Sequence, residues 1–345
     1  MRAVLYESFG SVPRVVDVPR PDPGDGGVLI QVLATGLCRS DVHAWAGHDP
    51  GIRLPHVPGH ELVGRIAELG AGVTELRIGQ RVTVPFVCAC GTCQECESGN
   101  GQVCRNQTQP GFTHWGSFAE FVAIQNAEVN VIPIPDALDP GAAAILGCRF
   151  ATSFRGLVGQ AKVRADEWVV VVGCGGVGLS AVMIAAAVGA RVIAVDIASD
   201  ALALATASGA AYVLDSSGLS DDEIVAAVRG ITGDGAAVSV EALGRESTTA
   251  VAIRSLARRG RHVQIGLFAT EPRIPMSEVI AGELTLLGSH GMAAQHYPAM
   301  LDIIASGRLR PEQLITRRIT LDEAPAAMID LANARSVAGV TLIVP

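Results

Sequence analysis

Along the first 150 residues, apolar positions fall in short β-like runs, alternating with polar ones or nearly continuous. Val28–Cys38 (VLIQVLATGLC), Leu62–Leu69 (LVGRIAEL) and Gly79–Val87 (GQRVTVPFV) are rich in β-branched residues and bounded by turns such as PDPGDGG. They predict a compact, barrel-like β domain. From about Ala151 the rhythm changes. WVVVVGCGGVG (168–178) is a buried-strand run entering a Gly turn, LSAVMIAAAVGA has helical spacing, and RVIAVD is strand-like again. The alternation continues through AAYVLD, DDEIVAAVRGIT, AAVSVEAL, STTAVAIRSLAR and RHVQIGL. Strands and helices alternating at this spacing predict parallel βαβ units, an α/β Rossmann domain with a doubly wound sheet. After LTLLGSHG, helical and strand pieces lead to VTLIVP, a tail expected to fold back onto the first domain.

Length adds that two domains are expected from 345 residues, and 49% hydrophobic residues supply their cores. The apolar runs are far shorter than the ~18 residues of a membrane span. MRAVLYESFG opens directly on a strand-like pattern without the features of a secretory signal. The expectation is a soluble, cytoplasmic protein, not a membrane protein. A net charge of -8 argues against a nucleic-acid groove.

Gly173-Cys-Gly175-Gly176-Val177-Gly178 lies between a strand run and a helix. Gly173 suits the tight turn, Gly175 lets a pyrophosphate approach the backbone, and Gly178 lets helix and strand pack closely. Asp196, at the end of the next strand, completes the dinucleotide fingerprint. It would accept hydrogen bonds from an adenosine ribose and repel a 2′-phosphate. No Arg or Lys follows in Ile197–Asp200, so NAD is favoured over NADP.

Five of eight cysteines lie between Cys88 and Cys104, a clustering that points to metal rather than disulfides. Cys90, Cys93, Cys96 and Cys104 have the spacing of a four-thiolate, closed, structural Zn²⁺ site. An Fe–S cluster and a redox Cys-x-x-Cys are the competing readings. Glu95 and Glu97 speak against a nucleic-acid zinc knuckle, and Cys88 is expected to be a small packed side chain. Cys38 and His60 sit at turns of the β domain, and with Cys148 they offer the soft mixture that suits Zn²⁺. Three ligands leave a fourth position for substrate.

The motifs CRSDVH, GHELVGRIAELGAGV, the four-cysteine lobe, GCRFAT and GCGGVG occur in one order along nearly the whole chain. In this the sequence resembles the zinc-dependent alcohol dehydrogenases of the medium-chain dehydrogenase/reductase superfamily. The resemblance implies a GroES-like, β-rich catalytic domain from residues 1–151 and 290–345, a Rossmann NAD-binding domain at 152–289, and an active site in their cleft. It assigns the catalytic zinc to Cys38, His60 and Cys148. Glu61 matches an acid behind the metal that can coordinate it transiently, and Asp41 a carboxylate orienting the ligand histidine. Ser40 and His43 match a proton relay. Arg39 matches a pyrophosphate contact, and Thr152 and Val177 match residues flanking the nicotinamide. The family's Arg near the C-terminus has no clear counterpart in AGVTLIVP, with Arg335 as the nearest candidate.

The chemistry so implied is Lewis-acid activation of an alcohol by zinc, proton removal through Ser40 and His43, and hydride transfer to the nicotinamide. Phe86, Trp45 and Trp115 are candidate pocket walls, each with a plain core role as its alternative. Bulky apolar walls and a cysteine at 148 fit primary alcohols better than polyols. Rival readings are an aromatic or secondary alcohol, glutathione-dependent formaldehyde oxidation, and a catalytically silent NAD-binding relative. The resemblance also implies a homotetramer or homodimer pairing near Thr285–Ser289.

Overall fold

A computed structural model describes residues 1–333 and 338–345. Arg335 lies outside the described residues. The chain divides into two compact units. The first comprises Met1–Ala151, Gly291–Ala305 and Ile315–Pro345, and the second Thr152–His290 and Ser306–Leu314.

In the first unit, β1 (Arg2–Leu5) and β2 (Arg14–Asp17) form a small antiparallel pair. The central strand is β3 (Val28–Gly36), whose side chains are buried almost throughout, Gln31 being the one exposed position. It pairs antiparallel with β4 (Leu62–Leu69), and β4 with β5 (Arg81–Thr83). β6 (Phe121–Ile124) joins the other side of β3, and β7 (Ile132–Pro133) pairs β5. The β3–β4 register shifts twice, between Leu29/Ile30 and between Val32/Ala34. Such irregularities bend and twist a strand, which curls the sheet. Val28, Ile30, Val32, Leu62, Ile66, Val82, Val122 and Ile124 fill the core this creates.

The second unit is a six-stranded, all-parallel sheet of β8 (Trp168–Val172), β9 (Arg191–Asp196), β10 (Tyr212–Asp215), β11 (Ala236–Glu241), β12 (Leu256–Gln264) and β13 (Thr285–Gly288). Their order is β10-β9-β8-β11-β12-β13, the doubly wound arrangement whose direction reverses between β8 and β11. The helix Gly176–Val188 is apolar on every side and buries Gly178–Ala185, as a helix with no polar face must.

The chain then returns. β14 (Ile315–Thr320) runs parallel to β15 (Val340–Val344), and β15 pairs antiparallel with the end of β3. The sequence reading gave all of 290–345 to the first domain, but Ser306–Leu314 groups with the second. Its apolar residues Leu309 and Leu314 are buried there, with Pro311–Leu314 against the helix Gly176–Val188. Hydrophobic pattern predicts that such residues are buried, but not against which partner. No helix among the described residues is long and apolar enough to cross a membrane.

Candidate metal and dinucleotide sites

The turn after β3 carries the first metal-ligand candidate. Cys38 is the N-cap of the helix Arg39–Trp45, and its backbone N–H donates to the Asp41 carboxylate at 2.9 Å. The other Asp41 oxygen accepts from Gly59 N–H at 3.1 Å and lies 2.9 Å from His60 Nδ1. One buried carboxylate therefore holds both the Cys38 turn and the His60 ring. Cys148 comes from far along the chain, in a widened π-helical turn, Leu146–Phe150. Tyr297, fully buried, donates its hydroxyl to the Leu146 and Gly147 carbonyls behind that turn.

One ligand atom each from Cys38, His60, Glu61 and Cys148 lie within 4.8 Å of one another. The donors fit zinc: two thiols, an imidazole and a carboxylate, with the buried His60 Nε2 left without a hydrogen-bond partner. A hydrogen bond from Cys148 holds the Cys38 thiol well below its usual range despite burial, while the same bond and burial push Cys148 well above. Burial opposes a charge on His60, but the Asp41 carboxylate outweighs it and raises the imidazole well above its usual range. With a metal on Nε2, that same Asp41 bond would keep the Nδ1 proton in place.

Around this cluster, Ser40 Oγ lies 3.8 Å from Cys38 Sγ. Ser40 and His43 are three residues apart on one helix and so share a face. His43 is half-buried, its ring edge-on to His48 at 5.5 Å. Burial, then the His48 and Arg39 charges, lower its pKa and keep it neutral, able to accept a proton. Arg39 is exposed. Phe86 meets the His60 ring edge-on at 6.1 Å.

The sequence reading missed three neighbours. Phe112 packs on His60 at 5.1 Å, Tyr297 supports the Cys148 turn, and Arg149 is buried in an ion pair with Glu61. Trp45 packs beside Phe112 in a cluster with Tyr6, Ala44 and Ile52, its indole N–H donating to Ser11 O at 2.6 Å. Trp115 instead lines a groove of about 420 Å³ with Pro55, His56 and His114, a groove none of the four metal-ligand candidates lines. Its indole donates to Pro55 O.

The cysteine lobe is a second cluster. Cys90, Cys93, Cys96 and Cys104 converge, with Sγ separations of 4.0 Å (Cys90–Cys96), 3.4 Å (Cys93–Cys96) and 3.6 Å (Cys93–Cys104). A tetrahedron of Zn–S bonds of ~2.3 Å has edges of ~3.8 Å, so the lobe fits zinc. Backbone N–H groups of Cys90 and Asn106 point at Cys104 Sγ, each at 3.3 Å. Hydrogen bonds from the Thr92 backbone and hydroxyl hold Cys90 down at about 5. Cys88 stays outside the cluster, buried, its thiol donating to Pro85 O and pushed up to about 12 by burial. It is an inert packed side chain.

In the second unit the Gly loop follows β8 at the reversal point of the sheet, where such sheets bind ligands. Gly173 adopts φ 92° and Gly176 opens the helix. Asp196 accepts from Cys174 N–H at 2.6 Å and from the N–H groups of Ile197 and Ala198. Ser153 donates to Val177 O, and Ser289 to Thr152 O, so both residues sit on tied-down backbone.

The family description "Alcohol dehydrogenase GroES-like domain" matches residues 24–136, and "Zinc-binding dehydrogenase" matches residues 176–306. An alcohol dehydrogenase of Geobacillus stearothermophilus is 33% identical over 90% of both chains. The chain belongs to the zinc-dependent alcohol dehydrogenases. An NAD-dependent alcohol dehydrogenase of Sulfurisphaera tokodaii is 31% identical over the full length of both chains. Among solved structures, a zinc-binding dehydrogenase from Sinorhizobium meliloti 1021 bound to NADP aligns with a TM-score of 0.88 at 30% identity, covering 100% of this chain and 99% of that one. The dehydrogenase thus has the GroES-like and Rossmann folds of its family and binds zinc.

Proposed function

We propose that this dehydrogenase oxidises primary alcohols, reversibly, with NAD, and that Cys38, His60 and Cys148 hold the catalytic zinc. The observation that carries the reading is the convergence of those residues with Asp41 behind and Ser40 beside them. Zinc there would supply Lewis acidity toward the alcohol oxygen, with a nicotinamide as hydride acceptor. Asp41 orients His60 and fixes the Cys38 turn. Ser40 Oγ accepts the substrate hydroxyl proton while passing its own to His43, whose depressed pKa leaves it neutral to receive one and release it to solvent. Phe86 and Phe112, flanking His60, favour an apolar substrate over a polyol. Cys90, Cys93, Cys96 and Cys104, with no position left open, hold a structural zinc.

One relative is named for NAD and another structure holds NADP, so the choice rests on this chain's own residues. Asp196, with no cation among the next four residues, favours the 2′-hydroxyl of NAD over a 2′-phosphate. For assembly, β13 is an edge strand with Leu286 exposed, and Ile280 on the nearby helix Met276–Gly282 is 73% exposed. This apolar edge supports a homodimer formed there, directly or within a tetramer.

The test follows NADH and NADPH formation over primary, secondary and polyhydric alcohols, with and without a chelator. NADH from primary alcohols, abolished by the chelator, is expected. A higher kcat/KM with NADP would overturn the cofactor reading, and no chelator-sensitive reduction from any alcohol would overturn the reaction.

A further inference from the structure

Arg149 is 5% exposed at its side chain, yet neither motif nor spacing gives it a task. Its backbone N–H and Nε each donate to Glu61 Oε1 at 2.9 Å, Nε also reaches Oε2 at 2.8 Å, and a terminal nitrogen reaches Oε2 at 2.5 Å. That nitrogen also donates to Leu37 O at 2.8 Å, the carbonyl just before Cys38. Arg149 itself directly follows Cys148. The guanidinium is thus tied to the chain on both sides of the metal cluster. Gly36 shapes the space beneath, because a Cβ there would fall 2.4 Å from Glu61 Oε2.

Glu61 is fully buried, and one of its oxygens lies within 4.8 Å of ligand atoms of Cys38, His60 and Cys148. A carboxylate so desolvated needs a cation, and once a metal holds His60 Nε2 and leaves that ring neutral, the partners beside it are the guanidinium and the metal. They compete for the same lone pairs. With Arg149 present the Glu61 charge is matched inside the Glu61–Arg149 pair, and the divalent ion is left its two thiolates. Without Arg149 the leftover negative charge has the metal as its nearest partner.

We infer that Arg149 is a positioning residue that commits Glu61 to itself and so keeps the fourth coordination position of the Cys38/His60/Cys148 site open to substrate. This rests on the catalytic-zinc reading above and goes beyond it, since it makes the vacancy a property of residue 149.

The test uses full-length protein with cobalt exchanged into the Cys38/His60/Cys148 site while zinc stays in the cysteine lobe, and imidazole as the exogenous ligand. The wild type is expected to show thiolate-to-cobalt absorption and to change its visible spectrum as imidazole occupies the open position. Arg149→Met should retain the thiolate absorption, bind imidazole at least tenfold more weakly, and release cobalt to a chelator several-fold more slowly. Adding Glu61→Gln to Arg149→Met should restore imidazole binding, which a general packing defect would not do. Wild-type imidazole affinity in Arg149→Met would overturn the inference alone, whereas a wild type without thiolate absorption would overturn the site reading beneath it. Should Arg149→Met not fold, Arg149→Lys, with a single ammonium for two oxygens, is read in the same way. Weakened imidazole binding restored by Glu61→Gln is expected there, and unweakened binding would overturn the inference.

Discussion

At the scale of single residues, Ser40 and Asp41 divide the labour around Cys38. Asp41 spends its two oxygens on three donors and makes geometry, whereas Ser40, 3.8 Å from Cys38 Sγ, is the group we propose to move a proton. Removing the hydroxyl should therefore leave the architecture intact. Ser40→Ala is expected to lower kcat by roughly 10²- to 10⁴-fold, the usual worth of a positioned proton acceptor, with zinc content and NADH affinity unchanged. Turnover within a few-fold of wild type would remove Ser40 from the relay. Cys38, His60 and Cys148 were joined only through the resemblance carried by CRSDVH, GHE and GCRFAT, since each alone also reads as an ordinary packed side chain. What was not readable is pairing across distance. Arg149 lies 88 positions from Glu61, and Phe112 meets His60 from a separate loop. No spacing rule links such residues until the sheet brings them together.

At the scale of elements, the turn between β8 and the helix Gly176–Val188 separates two uses of glycine. A Cβ on Gly178 would fall 1.7 Å from Gly173 O, so any side chain must push the helix off the turn. A Cβ on Gly175 would meet nothing within 4 Å. Gly178→Ala should thus lower both Tm and NADH affinity, the latter at least tenfold. Gly175→Ala should leave Tm unchanged and weaken NADH alone, because the added methyl meets only the cofactor. Fluorescence titration with NADH beside a thermal melt distinguishes the two, and equal Tm losses would refute the distinction. The Gly loop and the cysteine lobe were legible because their function resides in local spacing. Ser306–Leu314 was not, since a short apolar segment packs equally well against either unit by pattern alone.

At the scale of the whole molecule, several histidines are held neutral by burial. His43, His56, His262 and His290 are all lowered, and His114 falls to about 4. In the unfolded chain such residues titrate near 6.5, so below that pH the unfolded state binds more protons than the folded one. The contribution of these histidines to stability is therefore full above about pH 6.5 and declines as pH falls. His114 costs roughly 1.4 kcal/mol per pH unit until its folded pKa is reached. The Tm is expected to drop steadily from pH 6.5 to about 4, with a shallower slope in His114→Phe. A flat Tm over that interval would contradict this.

The return of the chain to its first unit bears on how the protein is made. β15 pairs with the end of β3, and Leu37 N–H, next to Cys38, donates to Thr341 O at 2.9 Å. Residues 340–344 leave the ribosome after the nucleotide-binding sheet has emerged. During synthesis the Cys38 turn therefore waits, without that brace, for β15 to arrive. A nascent chain can be finished in its middle while the Cys38 turn is still unbraced, so that turn takes its final geometry only once β15 has emerged.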